Sequence, residues 1–142
     1  MKDDLLPNED HISRYCKGTS LNEDGTVSGG SFKLRDGEAY LSVNWLEFLK
    51  RASRDEEIAE IRRILKTKIN PGGTAKIAVL NVGEICAHVA EETVGIEVRH
   101  RPDEPDNITD PSHSGIFDTF QDEDLIVELI AEKVQANYPA KG

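Results

Sequence analysis

The hydrophobic period changes along this chain, and that change limits the fold more than any other feature. Up to about residue 43 the apolar residues fall in short alternating runs. They then recur at helical spacing through residue 66, return to strand-like runs, and alternate between the two to the end. His11 to Cys16 reads as a first strand, with Ile12 inward. Asp24-Gly25 and Asp36-Gly37 are turn signals, because Asp-Gly tolerates the positive φ that tight reversals need. They bracket a strand over 31–35, with Phe32 and Leu34 on one face, and lead into a third strand over Tyr40–Val43.

Helical signals follow. Asn44 with Glu47 suggests a short capped helix. Ser53 with Glu56 has the spacing of a capping box, ahead of Ile58, Ile61, Ile64 and Leu65. A buried strand is expected from Ala75 to Leu80, then a helix over Val82–Glu92 capped by Asn81, weakened by Gly83. Val94, Ile96 and Val98 alternate as another strand. His113–Phe117 reads as a last strand, and Leu125, Ile126, Leu129, Ile130 and Val134 as a last helix ending before Pro139. This order predicts one α+β domain over 1–142, with a mixed, mainly antiparallel sheet and helices on one face. Segments 1–9 and 137–142 are expected to be flexible, and 101–112 to be an acidic loop.

Composition excludes several classes. The chain of 142 residues carries 27 acids against 17 Lys and Arg, a formal charge of −10. Between Arg101 and Asp124 eight acids face that one arginine. Such a balance repels phosphate backbones and anionic lipid surfaces, so neither general nucleic-acid binding nor membrane binding is expected. No apolar run approaches the roughly 20 residues that span a bilayer, and residues 1–7 lack the pattern of a signal peptide. Cytoplasmic placement with Cys16 and Cys86 as free thiols is the expectation.

The chemistry-bearing residues form no complete signature. Cys86-x-His88 is the one close Cys/His pair, and its spacing aims the two side chains apart on a helix, so no metal is expected. Ser20-x-Asn22-x-Asp24-Gly25 lacks the terminal carboxylates of a calcium loop and reads as a hairpin turn. Gly29-Gly30 lacks the lysine and spacing of a phosphate loop, no GxSxG occurs, and no cofactor is expected.

Two segments stand out. Asp10-His11-Ile12-Ser13-Arg14-Tyr15 holds a carboxylate, an imidazole, a guanidinium and a phenol. Asp110-Pro111-Ser112-His113-Ser114 offers a second histidine that Asp110 could orient as a base. The candidate site therefore has His11 and His113 as acid/base groups, with Arg14, Tyr15, Ser42, Asp110 and Ser114 binding ligand. Arg54, Arg62, Arg63, Lys66 and Lys68 read as a solvated helix face.

The acidic 101–112 segment and the missing catalytic signature favour an accessory domain that binds a protein with a basic surface. The rival is an enzyme or binder acting on a small nucleotide- or phosphoester-like anion through Arg14, His11 and His113. A variant of that rival is ADP-ribosyl transfer, where an arginine on an early strand and a serine on a later one, here Arg14 and Ser42, hold a dinucleotide. The readings part on whether Arg14, His11, Ser42 and His113 converge on one concavity.

Overall fold

Six strands pair antiparallel in one sheet, in a computed structural model that describes residues 3–102 and 110–141. They are β1 (His11–Cys16), β2 (Leu41–Trp45), β3 (Lys76–Asn81), β4 (Glu97–His100), β5 (His113–Phe117) and β6 (Ala136–Pro139). The spatial order is β4-β5-β2-β1-β3-β6. Three helices complete the fold: α1 (Arg54–Lys66), α2 (Val82–Glu92) and α3 (Glu123–Ala131). The α+β class and the antiparallel pairing match the sequence reading.

The helices, however, divide between the two faces of the sheet. Alternation along β3 explains why. Ala78 and Leu80 point into a core with Ile12, Cys16, Leu41 and Val43, which α2 covers through Ile85 and Val89 and α3 through Ile126 and Ile130. Ile77 and Val79 point the other way, onto Leu46 and the Ile58, Ile61 and Ile64 stripe of α1. Both faces of β3 are buried, which is why its sequence is a continuous apolar run rather than an alternating one.

Other expectations change at element ends. Residues 31–35 are not a strand: a 3-10 turn spans Gly29–Phe32, and Phe32 is buried in the first core. Asn44 continues β2 instead of capping a helix, and its amide is drawn sideways to Asp110. Segment 137–142, expected as a loose tail, forms β6 through Pro139, and Ala140 is buried behind it. Nor is all of 1–9 loose. Asp3 to Leu6 lies along the outer edge of β4, with Asp3 N–H donating to His100 O at 2.6 Å and Leu6 N–H to Val98 O at 3.0 Å. Most of the acidic 101–112 segment, residues 103–109, lies outside the described residues.

One irregularity in the sheet positions everything that follows. β1 pairs with β3 along its whole length, in six residue pairs. With β2 it shares only two, Ile12 with Trp45 and Ser13 with Asn44. From Arg14 onward β1 and β2 part, and the opening between them is a cleft.

Candidate site in the cleft between β1 and β2

The parting of two strands leaves ladder groups without strand partners, and those groups must be satisfied by something else. Arg14 supplies part of the answer. Its Nη1–H donates to the Ser42 carbonyl of β2 at 2.8 Å, and its Nε–H donates to the Ser31 carbonyl at 3.0 Å. The guanidinium thus lies in the opening, half-buried. Burial lowers its pKa below the ordinary arginine value, while Cys16 and then Glu38 oppose that shift. Arginine stays charged nonetheless. Among the described residues no carboxylate lies within ion-pair distance of it: the guanidinium is hydrogen-bonded to two carbonyls, and Glu38, which lines the same cavity, acts on its charge from farther off.

The cleft holds a cavity of about 290 Å³, lined by Arg14, Tyr15, Ser42, Asn44, Lys68 and His113 among others. Ile61, Leu65 and Ile69 form its apolar wall, and Arg35 and Glu38 lie at its rim. Leu65, the last residue of the apolar stripe read along α1, is only half-buried because it serves this wall, and Ile69 is 39% exposed.

His113 is fixed by its neighbours. Its Nδ1 lies 3.0 Å from the Arg101 carbonyl, which can only accept, so in the neutral ring Nδ1 carries the proton and Nε2 is the basic nitrogen. Tyr40 meets the ring edge-on at 6.1 Å. The Asp110 carboxylate, expected to orient this imidazole, is engaged elsewhere. It accepts from the Asn44 amide at 2.8 and 3.0 Å, from Ser112 Oγ at 3.0 Å and from Lys68 Nζ at 2.6 Å. With a side chain 1% exposed, Asp110 ties Asn44 of β2, Ser112 just ahead of β5 and Lys68, two residues past α1, to one another, and Lys68 also lines the cavity.

Of the residues singled out in the sequence, then, the structure brings Arg14, Tyr15, Ser42 and His113 to one cavity. His11 is elsewhere: its Nδ1 lies 2.7 Å from Glu47 Oε2, and Glu47 Oε1 accepts from its backbone N–H, also at 2.7 Å. Ser114 is buried, with its hydroxyl donating to Ser112 O at 3.1 Å. Asp10 accepts from Trp45 Nε1 at 2.8 Å.

Asn44, Lys68 and the α1 wall did not stand out in the sequence. Lys68 belongs to the basic group read as a solvated helix face, yet it follows the end of α1 and turns inward. The rest of that group is partly engaged, with Arg54 on Glu57 at 2.8 Å, Arg63 on Glu60, and Arg62 on the Pro139 carbonyl at 2.9 Å.

Among the described residues no group of three or more His, Cys, Asp or Glu is placed to hold a metal ion, and no helix is long and apolar enough to cross a membrane. Cys16 and Cys86 are both free thiols. No family model, no curated protein and no solved structure matches this chain.

Proposed function

We propose that this chain binds a small nucleotide- or phosphoester-like anion in the cleft between β1 and β2, with Arg14 as its anchor and His113 as the group able to move a proton. One observation carries the reading: the half-buried Arg14 lines a cavity with its guanidinium on two carbonyls and no carboxylate paired to it among the described residues. A phosphate or carboxylate seated there replaces lost hydration with a charge-assisted contact. Ser42 offers a hydroxyl, and Ile61, Leu65 and Ile69 offer an apolar wall for a ring. The alternative of a protein-binding accessory domain draws on the acidic 101–112 segment and on charge alone.

Isothermal titration calorimetry against nucleoside mono- and diphosphates, a nicotinamide dinucleotide and inorganic phosphate tests this. At least one nucleotide should bind with Kd on the order of 10–100 μM. Ile69→Glu should weaken that binding about tenfold, because it places a negative charge on an exposed wall without emptying the core. Silence across the panel up to about 1 mM would discard the reading and favour the acidic segment.

A narrower form of the same reading is ADP-ribosyl transfer. Arg14 and Ser42 stand on the two strands that flank the cleft, 2.8 Å apart through guanidinium and carbonyl, and Glu38 is the carboxylate lining the cavity. Release of free nicotinamide from the dinucleotide, followed chromatographically and lost in Glu38→Gln, would support it. Binding without release would confine the chain to a binding role.

A further inference from the structure

The cleft continues beyond Arg14. A second hollow of about 170 Å³ shares Arg14, Tyr15 and Arg35 with the first and runs toward the turns at Gly18–Ser20 and Gly29–Phe32. Its character is different. Arg14, Lys17, Lys33 and Arg35 all line it, and among the described residues no Asp or Glu does, in a chain where Asp and Glu outnumber Lys and Arg 27 to 17. Ser28 and Ser31 both donate their hydroxyls to the Ser20 carbonyl, which fixes the far wall. Lys33 has a distant partner in Asp124 at 3.5 Å, but both ends are exposed, and such a pair yields readily to a better anion.

We infer that this second hollow is a subsite for a diphosphate, so that the ligand is a nucleoside diphosphate or a conjugate of one, ring in the first hollow and phosphates in the second. The inference rests on the anion-binding reading and adds the ligand's polarity and direction. The two hollows differ as the two ends of such a molecule differ. The first has an apolar wall opposite hydrogen-bonding groups, and the second, among the described residues, has cations without acids. Arg14 lies between them, its Nη1 toward Ser42 of the first and its Nε toward Ser31 of the second. A phosphate ester carries about −1.5 to −2 near neutral pH, which four cations outnumber, so two linked phosphates are the closer match.

The test uses inorganic phosphate and inorganic pyrophosphate as probes of the second hollow, titrated calorimetrically at low salt, with adenosine and uridine as uncharged probes of the first. Pyrophosphate should bind at least about tenfold more tightly than phosphate. The double variant Lys17→Gln/Lys33→Gln should weaken pyrophosphate by about tenfold or more with an unchanged melting temperature, since both side chains are exposed. The control pair Lys50→Gln/Lys66→Gln, which lies outside both hollows, should leave the affinity alone. Equal affinity for the two probes, no response to the double variant, or an equal response to the control pair would each overturn the subsite. If only the ring-binding role of the first hollow is wrong, nucleosides and Ile69→Glu will show no effect while pyrophosphate still binds in a Lys17- and Lys33-dependent way.

Discussion

Gly115 shows how an absent side chain can shape the margin of a site. A Cβ at this position would lie 2.2 Å from Tyr40 Cδ1, so the tyrosine ring rests directly on the β5 backbone. From there it stacks on Phe117, with centroids 4.8 Å apart, and meets His113 edge-on. Gly115→Ala is therefore expected to displace Tyr40 and to cost about 1–3 kcal/mol in equilibrium urea unfolding, as overpacking does. Leu129→Ala acts in the opposite sense, by emptying space in the core under α3, and should cost about 2–5 kcal/mol in the same measurement. A loss below about half a kilocalorie would mean that α3 does not dock as described. Cys16 adds a dependence on pH. Burial raises its thiol pKa above the unfolded value. The neutral thiol's contribution is thus whole below the unfolded pKa and declines as pH rises from there through the folded pKa. Stability should fall above about pH 8.5, and the fall should be shallower in Cys16→Ala than in the parent chain.

At the scale of elements, legibility followed locality. The starts of α1 and α2 were readable because their caps lie within four residues: Ser53 Oγ accepts the Glu56 N–H at 3.2 Å, and Asn81 Oδ1 accepts that of Glu84 at 2.8 Å. Ser53→Ala should accordingly cost about 1 kcal/mol in thermal or urea unfolding, with the fold intact by circular dichroism. The discount attached to Gly83 has a structural origin. The Asn8 backbone passes so close that a Cβ at 83 would lie 2.9 Å from Asn8 O, and Gly83 N–H donates to that oxygen. β6 escaped notice because four residues ending in proline carry too little alternation to register, and only pairing with β3 makes them a strand. The cleft is the extreme case. Arg14 and His113 are recognisable as residue types, but their meeting depends on β2 lying between β1 and β5, a pairing of residues far apart in sequence. Lys68 and Ile69 reach the cavity only because α1 packs on the face opposite α2 and α3, which hydrophobic period alone does not determine.

Across the whole molecule, the −10 charge and the cationic cleft coexist because five cationic side chains, Arg14, Lys17, Lys33, Arg35 and Lys68, line the same opening. A duplex cannot enter a hollow of that size, and the acidic remainder repels it. Fluorescence anisotropy with duplex DNA at low salt should therefore show no binding at micromolar protein, while the small anions above should bind and raise the melting temperature by mass action.

The segment lying along β4 has a consequence for how this chain behaves among its own copies. A sheet's outermost strands are templates on which further strands can grow. At one margin, Pro139 has no N–H to offer and its carbonyl is taken by Arg62. At the other, the Asp3–Leu6 backbone occupies the rim of β4, clasped by Arg99 Nη1 on Asp3 O at 2.7 Å and Arg101 Nη1 on the Asp3 carboxylate at 2.6 Å. A chain shortened to begin after Leu6 loses that guard on one side only. It should self-associate on concentration, visible as rising light scattering and thioflavin fluorescence that the full chain does not show. Unlike a destabilised core variant, it should recover when a synthetic peptide of residues 1–7 is added back.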